Sequence, residues 1–228
     1  NSKDAFLPIE SVCNLLKAKY RTAAEIYEKY GLPSDRPVVL YVGRVDPEKK
    51  LGVVIDAFSE ARKKVPTVLL VVVGDGVDKT RLIKKVEKMG LSEDVRFLGK
   101  VLPPDLYELY KIGDVFATAS EIETQGIVLI EAAACGLPLI AVDKGAVSEV
   151  CITDENGYLC EPGNVDEIST AMVKILSDKK LRKKFSENSI KIAHGHDFEK
   201  TLDRFENIYK CVIDKKNNPQ GFESGVDI

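Results

Sequence analysis

The sequence lacks the features that mark membrane-spanning, secreted and zinc-binding proteins. It has no run of eighteen apolar residues, no C-x-x-C pair and only two histidines, and it does not open with a basic stretch followed by an apolar one. The five cysteines, an odd number, are Cys13, Cys135, Cys151, Cys160 and Cys211. These absences argue against a membrane-spanning helix, a secretory signal and a zinc site. We therefore expect a cytoplasmic protein with reduced thiols.

An excess of positive charge is also missing. The 33 Lys and Arg residues are outnumbered by 36 Asp and Glu residues, which gives a formal net charge of −3. Binding of nucleic acid through a globally basic surface is therefore not expected. Hydrophobic residues make up 44% of the 228 positions, which is enough for a sizeable core, and the chain is long for one domain and short for two.

Apolar runs without polar interruption alternate with amphipathic stretches from residue 36 onward. The predicted strands are 38–42, 67–73, 95–98, 114–117 and 137–142, and the predicted helices between them are 51–64, 79–89, 104–111 and 126–134. Uninterrupted apolar runs are typical of strands buried on both faces of a parallel sheet. The alternation predicts an α/β fold with a doubly wound, Rossmann-like parallel sheet, in which ligands bind beyond the carboxyl ends of the strands.

The chain divides into four predicted segments. Residues 1–35 form a lead-in with one helix, 36–195 form the Rossmann-like domain, 196–213 form an extra C-terminal helix, and 214–228 form a flexible tail. A basic run at 179–184 belongs to the helical part, with Leu181 and Phe185 predicted to face inward. A solvated helix face is the favoured interpretation of that run, and a patch for a lipid surface is the alternative.

The first candidate site follows the first predicted strand, at the ligand edge of the sheet. Gly43 allows a close turn of the backbone, and Arg44 and Lys49 place a guanidinium fork and a point charge on one loop. This combination suits a diphosphate. The alternative interpretation is a solvated loop with two ordinary surface cations.

The second predicted strand ends in Gly74-Asp75-Gly76, which does not match G-x-G-x-x-G. A nicotinamide-type dinucleotide site is therefore weakly supported, and a turn is the favoured interpretation. Because Gly74 ends a central strand, it is also a candidate for lining the ligand crevice.

Two glutamates, Glu123 and Glu131, flank the start of an apolar helix pattern at Gly126. The N–H groups from Gln125 to Val128 are expected to lie unpaired at the helix N-terminus, where a phosphate gains those donors and the helix dipole. Glu131 stands alone on an otherwise apolar helix, and a ribose diol would satisfy its carboxylate. Glu123 is expected to face the group beyond the phosphates. The alternative is that Glu123 is a loop charge and Glu131 a helix-surface charge.

These motifs, in this order, resemble the C-terminal, donor-binding domain of retaining GT-B glycosyltransferases of family 4. The resemblance runs from Arg36 to about Tyr209. Its matching segments are 43–49, 73–76, 95–99, the E-x7-E pair Glu123 and Glu131, 133–138, 145–149 and 156–159. It implies transfer of a sugar from a UDP-, GDP- or ADP-linked donor to an acceptor such as a lipid or glycan, without a metal or other cofactor.

The resemblance implies catalytic or binding roles for four charged side chains. Arg44 and Lys49 would hold the diphosphate, Glu123 would bind the transferred sugar, and Glu131 would bind the ribose. The other donor-binding residues that it implies are Gly43, Gly74, Lys100, Val101, Thr124, Gln125, Gly126, Ile127 and Val128. Among these, the backbone at Ile127 and Val128 would meet the distal phosphate, and Lys100 and Val101 would flank the base.

The sequence departs from the family pattern at two places. Glu123-Thr124-Gln125-Gly126 stands where Glu-x-Phe-Gly is common, and Ser148 precedes Glu149 where proline is usual. We expect the N-terminal domain that binds the acceptor in such enzymes to lie outside these 228 residues, and we expect these residues alone to be inactive.

Other functions stay open at this point. The alternatives are a non-catalytic nucleotide-sugar-binding module, a GT-B-like nucleotide-sugar epimerase and, less favoured, a flavodoxin-like signalling domain. Peripheral contact with the inner surface of the membrane also stays open, because of the basic run at 179–184.

Overall fold

The computed structural model describes residues 21–123 and 126–195. The strands are β1 Val38–Val42, β2 Leu69–Val73, β3 Val95–Gly99, β4 Val115–Ala117, β5 Leu139–Val142 and β6 Gly157–Cys160. The helices are α1 Ala23–Lys29, α2 Leu51–Arg62, α3 Lys79–Lys88, α4 Asp105–Lys111, α5 Ile127–Ala134, α6 Val165–Ser177 and α7 Lys179–Gly195. Short 3-10 helices lie at Pro47–Lys49 and Gly145–Glu149.

A six-stranded parallel sheet organises the fold, in the order β3-β2-β1-β4-β5-β6. The chain builds outward from β1 to β3, returns to pair β4 with the other side of β1, and then builds outward in the opposite direction. The strand order therefore reverses between β1 and β4. In a doubly wound sheet this switch point opens a crevice at the carboxyl ends of the two strands. The predicted α/β, doubly wound, Rossmann-like sheet is confirmed.

The sheet is covered on both faces, as the uninterrupted apolar runs predict. Every residue of β1 and β2 is buried. One apolar layer contains Phe58 of α2 and Phe185 of α7, and the other contains Tyr110 of α4 and Leu129 of α5. Because helices cover both faces, a ligand reaches the sheet at the ends of its strands.

The edge strand β6 is absent from the predicted strands, whereas the other five begin and end within two residues of their predicted bounds. Its short run gives a weak signal because Tyr158 and Leu159 are only half-buried at the edge of the sheet. Gly157 is required by close strand packing, since a Cβ there would lie 1.9 Å from the carbonyl oxygen of Leu139. This contact gives a structural reason for glycine in the 156–159 motif.

The lead-in helix α1 is attached to α4 by charged contacts. Thr22 caps α1 and exchanges hydrogen bonds with Glu25 in a capping box. Arg21 lies 2.6 Å from the buried Glu108, and Lys29 lies 2.7 Å from Asp105. The described part of the lead-in therefore packs on the domain and holds the outer side of α4.

The basic run at the start of α7 has the predicted orientation. Phe185 is buried and Leu181 packs half-buried against the same apolar layer, whereas Lys179, Lys180 and Lys183 are exposed. The predicted helix at 196–213, the tail at 214–228 and residues 1–20 of the lead-in lie outside the described residues. Within 21–123 and 126–195, no helix combines the length and the apolar character needed to cross a membrane.

Candidate functional site

A lysine and a glutamate meet across the crevice at the switch point. The Nζ of Lys49, in the loop after β1, lies 2.7 Å from Oε1 of Glu123, in the loop after β4. Both side chains are largely withdrawn from solvent, with 18% of Lys49 and 13% of Glu123 exposed. The same ammonium donates to the carbonyl of Ile122 at 3.3 Å and lies 3.5 Å from the hydroxyl of Ser120. The fold thus joins two sequence-predicted site residues that are 74 positions apart.

Backbone contacts hold the loop after β1 close to the loop after β2. The N–H of Gly43 donates to the carbonyl of Val73 at 3.0 Å, and the N–H of Val45 donates to the backbone carbonyl of Asp75 at 2.9 Å. A Cβ at Gly74 would lie only 1.8 Å from the carbonyl oxygen of Gly43, and Gly74 has a φ of +141°. Glycine is therefore required at position 74 by close packing of two loops, which agrees with the interpretation of this segment as a turn.

A buried tyrosine at the end of β1 forms a hydrogen bond with the loop that follows this strand. The hydroxyl of Tyr41, at the end of β1, donates to the carbonyl oxygen of Arg44 at 2.8 Å. Burial raises the pKa of Tyr41, and the nearby Glu123 and Asp46 act in the same direction. Tyr41 therefore stays protonated and acts as a hydrogen-bond donor. Its hydrogen bond fixes the backbone at the start of the loop that follows β1.

The second cation of this loop, Arg44, binds other carboxylates than Lys49 does. Its guanidinium lies 2.6 Å from Asp46 and 2.6 Å from Glu48, and 66% of the side chain is exposed. Because the guanidinium itself is exposed, its attraction to these carboxylates is weakened by solvent, so the partner of Arg44 is readily exchanged. The two cations of this loop are thus paired with different carboxylates.

The helix that begins after Gly126 starts without a side-chain cap. The N-cap residue Gly126 has a φ of +59° and, as a glycine, no side chain that could accept from the first turn of α5. The N–H groups of Ile127 and Val128 have no acceptor within the helix, as in the first turn of any α-helix. Thr124 and Gln125, the remaining predicted donors of this segment, lie outside the described residues.

Glu131, one turn further along α5, has a buried tyrosine as its partner. The hydroxyl of Tyr110, in α4, donates to Oε2 of Glu131 at 3.0 Å. Burial raises the pKa of Glu131, and the hydrogen bond from Tyr110 partly opposes that rise. Glu131 as a residue is half-buried. The environment is therefore not that of an ordinary helix-surface charge.

The loops after β3 and β5 complete the carboxyl edge. Lys100 is exposed, and Val101 packs half-buried against the apolar layer beneath. The loop after β5 supports Glu123, because the N–H of Ala146 donates to the carbonyl of Glu123 at 3.4 Å. A Cβ at Gly145 would lie 2.7 Å from that same oxygen. Glycine at 145 therefore lets the two loops approach each other.

Two cavities of the described residues do not coincide with this crevice. Their volumes are about 450 and 250 Å³. The first lies between β6 and α6, and the second lies at the amino ends of β4 and β5 beside the start of α7. These two cavity volumes therefore do not mark the region where the charged loops after β1 and β4 meet. Among the described residues, no three His, Cys, Asp or Glu side chains gather into a metal-binding group.

The family described as glycosyl transferases group 1 matches residues 23–192, which include every strand and loop of the crevice. The chain belongs to this family. It is 28% identical over 214 residues to the N-acetyl-alpha-D-glucosaminyl L-malate synthase of Bacillus anthracis, covering 92% of this chain and 55% of that protein. It is 33% identical over 162 residues to a GDP-mannose-dependent alpha-(1-6)-phosphatidylinositol monomannoside mannosyltransferase of Mycolicibacterium smegmatis, covering 68% and 42%.

Solved structures of related proteins share the fold. HepE of Anabaena in complex with UDP and glucose is 25% identical, with a TM-score of 0.76 over 88% of this chain and 54% of that one. The C-terminal domain of the group 1 protein LpcC of Francisella tularensis is 26% identical, with a TM-score of 0.70 over 80% and 96%. The chain spans about half the length of the curated relatives it matches. The family is described as one of glycosyl transferases and the mycobacterial relative is named a mannosyltransferase, so the binding-module and epimerase alternatives are not favoured.

Three residues of the site are absent from the set that the sequence predicted. Tyr41 and Tyr110 look like ordinary core aromatics in the sequence, and Ser120 looks like an ordinary loop residue. For Tyr41 a signal was present, because it is the polar-tipped residue of an apolar strand, three positions before Arg44. For Tyr110 none was available, because its link to Glu131 depends on how α4 and α5 pack.

Proposed function

We propose that this chain is the nucleotide-sugar-binding half of a retaining, family 4 glycosyltransferase, and that it forms the C-terminal half of a two-domain GT-B enzyme. The observation that carries the proposal is the approach of Lys49 and Glu123 across the switch-point crevice, beside the uncapped start of α5. A crevice of this kind offers a cation and helix N–H groups to phosphates, and a carboxylate to sugar hydroxyls.

In this proposal a nucleoside diphosphate sugar lies along the carboxyl edge of the sheet. Lys49 and Arg44 bind the diphosphate, and the N–H groups of Ile127 and Val128 bind the distal phosphate. Arg44 exchanges its carboxylate partners for phosphate, and Lys49 is shared between phosphate and Glu123.

The remaining donor contacts follow the loops of the same edge. Glu123 accepts hydroxyl groups of the sugar, and Glu131 accepts those of the ribose. Lys100 and Val101 flank the base, and Gly43 and Gly74 allow the backbone to pass close to the donor.

Transfer in this proposal proceeds at the anomeric carbon with retention of configuration. The bond from the anomeric carbon to the phosphate oxygen breaks, its electron pair leaves with the nucleoside diphosphate, and a bond to the acceptor oxygen forms on the same face. The departing phosphate takes the acceptor proton. Arg44, Lys49 and the N–H groups of α5 stabilise the charge that develops on that phosphate, so no metal or other cofactor is required.

Acceptor binding belongs to a second domain in this proposal. HepE has been solved with UDP-glucose, and the mycobacterial relative is named for a lipid acceptor. We propose a lipid or glycan acceptor and a UDP-, GDP- or ADP-linked donor. The site of action is cytoplasmic, with peripheral contact at the inner membrane surface where the acceptor is a lipid.

Calorimetry of the 228-residue chain with UDP, GDP and ADP, with and without their sugars, tests the donor site. One nucleotide should bind measurably at up to millimolar concentration, and Lys49→Ala should abolish or strongly weaken that binding. Lys63→Ala is the matched control, because Lys63 caps the C-terminal end of α2 and forms an exposed ion pair with Glu60. A folded chain that binds none of the three nucleotides would contradict the proposal.

A further inference from the structure

The hydrogen bond between Tyr110 and Glu131 joins a core residue of α4 to the proposed ribose-binding residue of α5. We propose that Tyr110 is a positioning residue, whose buried hydroxyl fixes Oε2 of Glu131 so that the carboxylate is held ready to accept the ribose hydroxyls of a nucleoside diphosphate. This inference rests on the proposed function and adds to it a residue that does not itself touch the donor.

Tyr110 has the rigidity that such a role requires. Its side chain is fully buried, and its ring packs on Phe116 of β4 with the ring centroids 6.3 Å apart and the planes tilted by 35°. A tyrosine ring that is enclosed in this way cannot swing its hydroxyl to another place without disrupting the packed layer. The hydroxyl is therefore a fixed point against which the carboxylate is aligned.

The bond also has a defined direction. Burial raises the pKa of Tyr110 well above its ordinary value, and the charge of Glu131 acts in the same direction. The phenol therefore stays protonated at neutral pH and donates to the carboxylate. Within the described residues, the hydrogen bond from Tyr110 to Oε2 is the one that the structure gives to the carboxylate of Glu131. One carboxylate oxygen is thus held by the protein, which leaves Oε1 for a ligand.

The same bond favours the charged form of Glu131. Burial raises the pKa of Glu131 and so favours the protonated acid, whereas the donor Tyr110 lowers it. The other titratable groups that act on the pair are Tyr107 and Cys135, which are uncharged in their ordinary state at neutral pH. A carboxylate can accept from both ribose hydroxyls, but a protonated acid must use one oxygen as a donor. Tyr110 therefore acts on both the position and the charge of Glu131.

The first test needs no nucleotide. The carboxyl carbon of Glu131 is followed by NMR through a pH titration of the 228-residue chain and of Tyr110→Phe. Loss of the donor should raise the pKa of Glu131. Tyr27→Phe is the matched control, because it removes a tyrosine hydroxyl that donates to the backbone of Ile112. An unchanged titration of Glu131 in Tyr110→Phe would overturn the proposal.

The second test asks whether the bond serves ribose recognition. Calorimetry compares the nucleoside diphosphate that binds best with its 2′-deoxy and 3′-deoxy forms. Wild type should prefer the ribose form by about tenfold to a hundredfold, since a hydrogen bond to a charged group contributes about 1.5–3 kcal/mol. Tyr110→Phe should reduce this preference to about twofold or less. The loss of affinity that accompanies protonation of Glu131 at low pH should begin at a higher pH in that variant. Tyr27→Phe should preserve the ribose preference and the pH at which affinity is lost.

Two further results separate this inference from the proposed function. Glu131→Gln should lose the ribose preference, and adding Tyr110→Phe to it should cause little further loss, because the two residues act as one unit. If Tyr110→Phe retains the full ribose preference while Glu131→Gln loses it, the positioning role is wrong and the donor site stands. If wild type binds no nucleoside diphosphate, the proposed function fails, and the ribose role of both residues fails with it.

Discussion

Lys49 and Glu123 form a largely buried ion pair, 2.7 Å long, across the crevice where the strand order of the sheet reverses. In the proposed donor site, the cation assigned to the phosphates is thus already bound to the carboxylate assigned to the sugar. Binding a nucleoside diphosphate requires this pair to open or to be shared. The pair therefore predicts how bare nucleotides and nucleotide sugars differ in affinity.

We expect Glu123→Gln to strengthen binding of the bare nucleoside diphosphate. The substitution removes the carboxylate that competes with phosphate for Lys49, and the freed ammonium gains a stronger partner in the diphosphate. The expected gain is about threefold to tenfold, with a loss of the extra affinity that the attached sugar provides. Calorimetry with the nucleotide and the nucleotide sugar measures both. Weaker binding of the bare nucleotide would show that Glu123 does not compete for Lys49.

Glu131→Gln is expected to weaken nucleotide binding without destabilising the fold. Losing a charge-assisted hydrogen bond to ribose costs about 1.5–3 kcal/mol of binding free energy. Because the pKa of Glu131 is raised in the folded protein, its contribution to the free energy of unfolding falls as pH rises through the range above its ordinary value of 4.5. The substitution should remove that decline. Urea unfolding at several pH values measures it, and an unaltered pH dependence in Glu131→Gln would contradict the account.

The loops after β1 and β2 pack closely together, so Gly74→Ala should strongly lower the free energy of unfolding. The added Cβ would lie 1.8 Å from the carbonyl oxygen of Gly43, so a backbone segment must move. We expect a loss of about 3 kcal/mol or more in the free energy of unfolding, since strain and a displaced loop add together. Urea unfolding measures this loss.

The matched control for that substitution is Gly163→Ala. Gly163 also has a positive φ, of +77°, but a Cβ there meets nothing within 4 Å. Only the conformational cost of about 1–2 kcal/mol is expected. Equal losses in the two variants would mean that contact with Gly43 does not constrain position 74.

Much of this fold could be predicted from the sequence, because the strands β1 and β2 are uninterrupted apolar runs that no other element accommodates as well. The edge strand β6 could not, since half of its surface faces solvent and its pattern is weak. The pairing of Lys49 with Glu123 could be expected only in outline, because it depends on which loops the sheet order brings together. Tyr110 could not be found, because its partner lies 21 positions away on another helix.

Transfer by the 228-residue chain alone is expected to be undetectable and to return when a second, acceptor-binding domain is restored. The reacting groups must be held about 3–3.5 Å apart in a closed complex, which one half of the cleft does not provide. In the two-domain protein, Lys49→Ala should lower the turnover number by about a hundredfold or more, and addition of EDTA should change it little. Steady-state rates and donor affinities measure this. A raised Michaelis constant with an unchanged turnover number would contradict the role of Lys49.

The most direct test of the donor site is to locate the nucleotide on the chain by amide NMR during a titration with the nucleoside diphosphate that binds. The account predicts that the largest shifts occur at Gly43, Ile127 and Val128, on the carboxyl edge of the sheet. It also predicts that amides at the opposite edge, such as Asp114 and Lys183, stay unchanged. Shifts confined to that opposite edge, or to the groove between β6 and α6, would contradict it.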